Sequence, residues 1–551
     1  MPYLFRITLL FLFFLPQTGW AQFESALVSH FESENRVRIN DIVVDEQGDF
    51  YCIGVFEGLV FIDHGDSFSK VTSAAWREEI FICKYNSDNE FQWFKFLQGP
   101  NEEWPAELHV DKNGDLLITG QYRYDVDFDP SEEEFILDTE NWWEPFLLKL
   151  DSDGNFIWVK NIYGAGISFS VDTDSQNNIV LSGWVEGHVD FDTGPDSLII
   201  DTNDNDIFVS KLSPDGELMW ARTFGGNSYD VSFSAVCDAE DNIVSTGWFR
   251  DTLEIRHQGQ NKSLVSMGGN DAYILKLDKN GDFLWAHQIG STSDDKGNRV
   301  RIINGTDVVS NVTVRRTDEF FTTIEGMYYP ADIDYKQLYF SLDSLGNLNW
   351  HNYINSRVPM RGEDMVVDKN DNIYASGNFQ VELEIEINDI PQTLDAPDDW
   401  DGYVIKMDPE GSFEWIEHVK SDSFLQLTAL TINQDLEIIA AGPFRDNFSF
   451  MGYELEASND FDSFIIKFRE LASSTSVEDI PEFKIYPNPS DSYINIESTH
   501  PIDRVELLDV MGRTTLLPGQ GNRFDVSMLS PGLYYCRLNG SQTIQTPIAI
   551  H

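Results

Sequence analysis

One hairpin, written six times at an almost constant interval, limits what this chain can fold into more than any other feature. The copy from Phe146 to Trp158 reads FLLKLDSDGNFIW. Its relatives run Phe81–Trp93, Phe208–Trp220, Tyr273–Trp285, Tyr339–Trp350 and Tyr403–Trp415. The closing tryptophans stand 65, 62, 65, 65 and 65 residues apart. A fixed period of that size means one supersecondary unit repeated, none able to bury its apolar face alone.

Within a copy, Phe146, Leu148 and Leu150 alternate with Lys149, the two-residue period of a strand. Asp-Ser-Asp-Gly-Asn then supplies an Asx-type turn and a glycine free to take positive φ. A second hairpin lies upstream in each period: Val44–Gly54, Val110–Gly120, Val171–Gly183, Cys237–Gly247, Val367–Gly377 and Ile432–Gly442. Two hairpins make four strands, the content of one propeller blade. The fifth unit lacks a clean first hairpin, but its span from Arg301 to Phe321 is apolar and β-branched, and it counts as a diverged blade.

The seventh unit stops after its third strand, FIIKF at Phe464–Phe468, without a turn or a tryptophan strand. The missing strand stands at the other end. Residues Ala26–Arg38 align loosely with Leu284–Arg301 and precede the first blade with no partner of their own. A ring completed by the N-terminus removes unpaired edges, whereas an open stack of sheets needs caps at both ends. The expected fold is all-β: a seven-bladed β-propeller over residues 22–469, closed by an N-terminal strand. A linker over 470–482 and a small Ig-like β-sandwich over 483–551 follow it.

The recurring VDxxGN…TGxF and DxFhhKLDxxGxhxW patterns resemble bacterial β-propeller repeat families of secreted and surface proteins. That resemblance implies fold and export, and no catalytic residues. Residues 1–21 read as a secretory signal peptide, with Arg6, an apolar core at Ile7–Leu15 and cleavage after Ala21. No other stretch is long and apolar enough to cross a bilayer. The C-terminal segment carries Tyr486-Pro487-Asn488-Pro489, Asp509-Val510-Met511-Gly512-Arg513 and Leu529-Ser530-Pro531-Gly532-Leu533-Tyr534. In that order it resembles the type A sorting domain of the type IX secretion system. This implies export across both membranes of a Gram-negative cell, with the secretion machinery as partner and a secreted or surface location. The chain departs from the pattern at its end, Ile548-Ala549-Ile550-His551, where lysine is common.

With 93 Asp and Glu against 37 Lys and Arg, the net charge is −56. Nucleic acids and anionic lipid surfaces are poor partners for such a chain, because binding them requires cations that displace counterions. The four cysteines, Cys52, Cys83, Cys237 and Cys536, have no metal-ligand spacing. Cys52 and Cys83 fall on strands expected to be neighbours, compatible with a disulfide or with two buried thiols. His287, His351 and His418 share no register and read as surface or packing residues.

Two sets of residues are candidates for function. Glu79, Glu144, Asp206, Asp271, Asp401 and Asp462 each stand two residues before the first aromatic of a third strand. A ring would arrange them in a circle, to cap strand starts or to bind Ca2+. Capping is the simpler account. The Asp127–Asp129 and Asp190–Asp192 pairs are alternative cation ligands. The Asp-x-x-Gly turns are too short for an EF-hand and lack its distal glutamate. Trp76, Trp142, Trp143 and Trp400 lie on the long connections between second and third strands, and suit stacking on sugars or docking a protein. The expected protein is monomeric, without a cofactor, and binds glycan or protein without catalysis. A polysaccharide lyase or hydrolase and a calcium-dependent adhesin are the alternatives. The sequence displays no acid pair, and no base with an arginine, at the axial opening that an enzyme would need.

Overall fold

Each 65-residue period becomes an antiparallel quartet, because alternating apolar strands joined by Asp-Gly turns pair with their nearest neighbours in sequence. The structure is a computed structural model. It describes residues 22–471 apart from 64–67, 73–76, 100–102, 140–142, 193, 195, 258–259, 316–319, 328–334 and 459–460. It also describes 483–550 apart from 487–492, 499–504, 510–513, 518, 521–522, 528, 530–531 and 539–544. The expected signal peptide, residues 1–21 with its cleavage site at Ala21, lies outside the described residues. Two compact units meet between Leu471 and Ala472.

Blade one comprises Arg36–Val44, Phe50–Glu57, Glu78–Tyr85 and Phe91–Phe96, paired in that order. Blades two to seven begin with Trp104–Val110, Tyr163–Thr173, Asp230–Cys237, Lys296–Ile303, Met360–Val367 and Ala429–Ile432. Each of these first strands lies beside the first strand of the next blade, and the seventh lies beside that of blade one. The fifth blade has a regular first hairpin, Lys296–Ile303 against Asp307–Val314. The seventh is completed by Gln22–Ser33, antiparallel to Asp462–Leu471 from Gln22 opposite Leu471 to Phe31 opposite Ser463. The unit is a closed β-propeller. The C-terminal unit holds two four-stranded antiparallel sheets, around Ile494, Val505, Leu507, Phe524 and Val526.

The repeated residues are the joints between blades. Trp220 Nε1 donates to Lys279 O at 3.2 Å, Trp285 Nε1 to Ser344 O at 3.1 Å and Trp350 Nε1 to Pro409 O at 2.9 Å, each in the following blade's turn. The turn glycine sits on the tryptophan ring: a Cβ on Gly281 would stand 3.0 Å from Trp220. At the ring's last joint Trp415 meets Phe23 of the closing strand, ring centroids 5.0 Å apart, and bonds Glu470. The third-strand lysine reaches back to the first turn. Lys149 contacts Asp111 at 2.7 Å, Lys211 contacts Asp174 at 2.7 Å and Lys276 contacts Asp238 at 2.8 Å.

A polar belt around the axis links every blade to the next. Asp41 accepts from Leu108 N at 2.7 Å, Glu107 from Val171 N at 2.7 Å, Ser170 from Ala235 N at 3.0 Å and Ser234 from Val300 N at 3.3 Å. Arg299 then donates to Asp364 at 3.1 Å, Asp364 accepts from Leu430 N at 2.9 Å, and Thr428 donates to Ile39 O at 2.6 Å.

Two glycines with the same strain separate the turn's cost from the joint's. Gly114 has φ +84° with nothing within 4 Å of a built Cβ, whereas Gly411 has φ +83° and its Cβ would overlap the Trp350 ring. Gly114→Ala is expected to cost about 1 kcal/mol from backbone strain alone, and Gly411→Ala about 2–4 kcal/mol. Chemical denaturation of the two variants measures the difference; equal losses would remove the joint as its cause.

Candidate functional site

The six candidate carboxylates fall into one register. Glu79 stands opposite Phe56, Glu144 opposite Tyr122, Asp206 opposite Val185, Asp271 opposite Phe249, Asp401 opposite Phe379 and Asp462 opposite Phe444. The partners identified for them are local. Glu144 accepts from Asn161 at 3.0 Å, and Asp271 from Gln288 at 2.6 Å and Met267 N at 3.2 Å. Asp401 bonds His418 at 2.6 Å and Ser421 N at 2.8 Å; Asp462 bonds His30 at 3.1 Å and Ser33 N at 3.1 Å. His418 packs against Phe379 at 5.4 Å, as a packing residue does, and through Asp401 it also serves the strand start. His30 occupies the same position in the closing strand, opposite Phe464 as His418 is opposite Tyr403. Among the described residues, no three His, Cys, Asp or Glu side chains converge to hold a metal ion. Asp127 and Asp190 spend Oδ1 on backbone N–H groups of their own loops. Cys52 and Cys83 stand opposite each other on paired strands as buried free thiols.

Of the four tryptophans, Trp76 and Trp142 lie outside the described residues. Trp143 is half-buried in blade two, and its carbonyl accepts from Gly166 N at 2.9 Å. Trp400 is half-buried in blade six and belongs to a cluster. Arg361 lies over the Trp400 ring at 4.9 Å, and the Trp400 backbone forms a parallel β-bridge with that of Phe424. Phe424 meets Phe461 edge-on at 5.4 Å, and the Phe461 ring carries Arg445 at 4.4 Å and Arg38 at 4.9 Å. These residues come from blades six, seven and one, on the face where first strands start and second strands end. Farther round the axis, Lys296 sits 4.0 Å over Phe233, which stacks against Phe169 at 5.1 Å. Lys296 is open to solvent, yet the surrounding channel wall and its three arginines lower its pKa, desolvation leading.

Arg38, Lys296 and Arg361 occupy one equivalent position, the entry to a first strand, with Trp104 its counterpart in blade two. Sequence reading missed them. The signal available was their shared offset, seven residues ahead of the first-hairpin turn. The axis also holds the arginine with acids that the sequence did not display: Arg299 beside Asp364, in a field that includes Asp41 and Glu107. Asp41 is raised to about 8, by desolvation first and then by Asp364 and Glu107.

A protein-family comparison matches residues 484–550 to the secretion system C-terminal sorting domain. The C-terminal unit is a secretion sorting domain. The protein is thus addressed to the type IX machinery and is secreted or held at the cell surface. Over 492 residues the chain is 20% identical to an uncharacterised WD repeat-containing protein, L264, of Acanthamoeba polyphaga mimivirus. The match takes in 76% of this chain and 35% of that protein, so the chain spans about a third of its relative's length. Among solved structures, the holo pyranose dehydrogenase PQQ domain from Coprinopsis cinerea aligns at 10% identity and TM-score 0.33, over 83% of this chain and 98% of that one. The extracellular domain of the putative one component system BT4673 from B. thetaiotaomicron aligns at 9% identity and TM-score 0.15, over 97% and 98%. Among the described residues no helix is long and apolar enough to cross a membrane.

The carboxylates on this face give the fold a pH dependence. Asp230 and Asp295 begin the first strands of blades four and five, fully buried. Desolvation raises each to about 8, and Asp206 and Asp271 of the preceding blades push the same way. Burial also lifts Asp206 and Asp271 to about 6. A carboxyl with a folded pKa above its unfolded 3.8 holds its proton better when folded, so its contribution to stability falls as pH rises from about 4 to about 8. The melting midpoint is expected to be higher at pH 5 than at pH 8. The Asp230→Asn, Asp295→Asn double variant should show a smaller drop, and an unchanged drop would remove these two groups as its source.

Proposed function

We propose that this exported propeller is a binding and scaffolding protein without catalysis, and that it takes a glycan or protein ligand at the axial mouth. The observation that carries the reading is a group of aromatic residues and cations: Arg361 over Trp400, whose backbone bridges to Phe424, and Phe424 edge-on to Phe461, which carries Arg445 and Arg38. The half-buried Trp400 and Phe424 rings, beside guanidinium donors and backed by the buried Phe461, form a recognition surface for sugar rings or peptide side chains. The axial carboxylates favour the non-catalytic reading. Asp41, Glu107 and Asp364 already accept backbone N–H groups that join one blade to the next, so loss of those bonds would loosen the ring. The six register-matched acids fit the capping role better than a cation site, since Asp401 and Asp462 each take a backbone N–H and a histidine.

A glycan array probed with the full exported chain, followed by calorimetry, tests this. Trp400→Ala should weaken the captured ligand about ten-fold, as removing a stacked ring costs on the order of 1–2 kcal/mol, with the melting midpoint kept. Turnover of the ligand into shorter products, or affinity indifferent to Trp400, would sink the reading.

A further inference from the structure

The mouth's cations are out of keeping with the rest of the chain. Only 37 Lys and Arg stand against 93 acids. Yet three of the seven first strands open on this face with a cation, Arg38, Lys296 and Arg361. Arg123, Arg250, Arg315 and Arg445 occupy a second equivalent position, directly after the last residue that pairs with the acidic register. Arg361 and Lys296 are exposed, and each stacks on an aromatic ring while remaining open to solvent. Acids share this face, but they are buried or engaged: Glu363 is held by Gln426 at 3.0 Å, Asp294 pairs with Arg315 at 3.5 Å, and the buried Asp230 and Asp295 accept from the backbone N–H groups of Arg250 and Arg315.

We infer that the axial mouth selects an anionic polysaccharide, a chain of sugar rings bearing carboxylate or sulfate groups. This rests on the binding reading above and names its ligand class. Both halves of such a ligand have a counterpart here. The apolar face of a pyranose ring stacks on Trp400 or Phe424 in the way aromatic side chains meet other flat apolar faces. Its carboxylate or sulfate accepts two parallel N–H bonds from a guanidinium already levelled against a ring, as Arg361 is on Trp400 and Arg445 is on Phe461. A polymer of the same sign as the protein is repelled at long range, with a screening length of about 8–10 Å at physiological salt. It is therefore held only where cations are exposed and the neighbouring acids are buried, as Lys296 and Arg361 are beside Asp230 and Asp295. An acidic peptide would supply the charges without the repeating ring faces, and a neutral glycan the faces without the charges.

The test uses the full chain in calorimetry with four polymers: polygalacturonate, dextran sulfate, unmodified dextran and poly-glutamate. Binding of polygalacturonate, dextran sulfate or both, with dextran and poly-glutamate unbound, is the expected result; which of the two binds identifies the anion. Affinity should fall about ten-fold in Arg361→Gln and again in Lys296→Gln, and should fall steeply with added salt. Both variants alter exposed side chains, and an unchanged melting midpoint confirms that the fold is intact. Equal binding of unmodified dextran, weakened by Trp400→Ala, would overturn the anionic class while leaving a glycan-binding mouth. Preference for poly-glutamate, or anion binding indifferent to Arg361 and Lys296, would also overturn it. Capture of no polymer, while a glycan array returns a neutral ligand, separates failure of the ligand class from failure of the binding reading.

Discussion

The pairing of Gln22–Ser33 with Asp462–Leu471 is the contact on which the rest of this ring depends. Without it the last blade has three strands and an exposed apolar edge, and the first blade has no neighbour to close against. Its interactions are of several kinds at once. Main-chain bonds run along the strand, Phe23 fills the space against Trp415, and His30 reaches Asp462. Contacts between residues more than 400 positions apart form only after a large loop-closure cost, which the intermediate blades reduce by holding the two ends in place.

The repeat is legible because its fixed residues are joints rather than decoration. A blade alone does not need tryptophan near the start of its fourth strand. It is the next blade that needs it, as a flat surface under a turn whose glycine has no side chain to interfere. The lysine of the third strand has the same logic within a blade. Lys276 and Asp238 are almost wholly buried, and removal of one partner from such a pair leaves a charge without compensation, at a cost of about 3–5 kcal/mol. Burial works to raise Asp111 and Asp174, and the hydrogen bonds from Lys149 and Lys211, together with those from the backbone N–H groups of their own turns, outweigh it and hold both below the usual carboxylate range.

These joints fix what could be read from the chain and what could not. Strand order, the incomplete seventh blade and its completion from the N-terminus follow from the period, since an interrupted repeat states which strand is missing. The acidic register was visible too, because a strand start has a fixed distance from the aromatic that follows. What those acids bond was not visible. His30 and His418 occupy one position of the fourth strand, but one of them lies more than 400 residues from its sheet in sequence, and no local pattern connects them. The mouth was missed for a related reason. Arg38, Lys296 and Arg361 differ from Ile167, Val231 and Gln426 at the same position, so they look like noise in a repeat until the ring brings seven strand starts together.

That convergence explains why cations gather there at all. Seven first strands run side by side around one axis, and in a chain of net charge −56 they would crowd acids into a confined space. Asp41 shows the consequence: with Asp364 and Glu107 nearby it is pushed up to about 8. Arg299, bonded to Asp364 and in the field of Glu107 and Asp41, offsets the repulsion inside the ring. The belt uses its arginine internally. The cations three residues nearer the mouth on the same strands, Lys296 and Arg361, have Glu363 beside them and face solvent over aromatic rings. A ring that must balance its own acids at the centre thus presents, at its opening, exposed cations in front of buried acids.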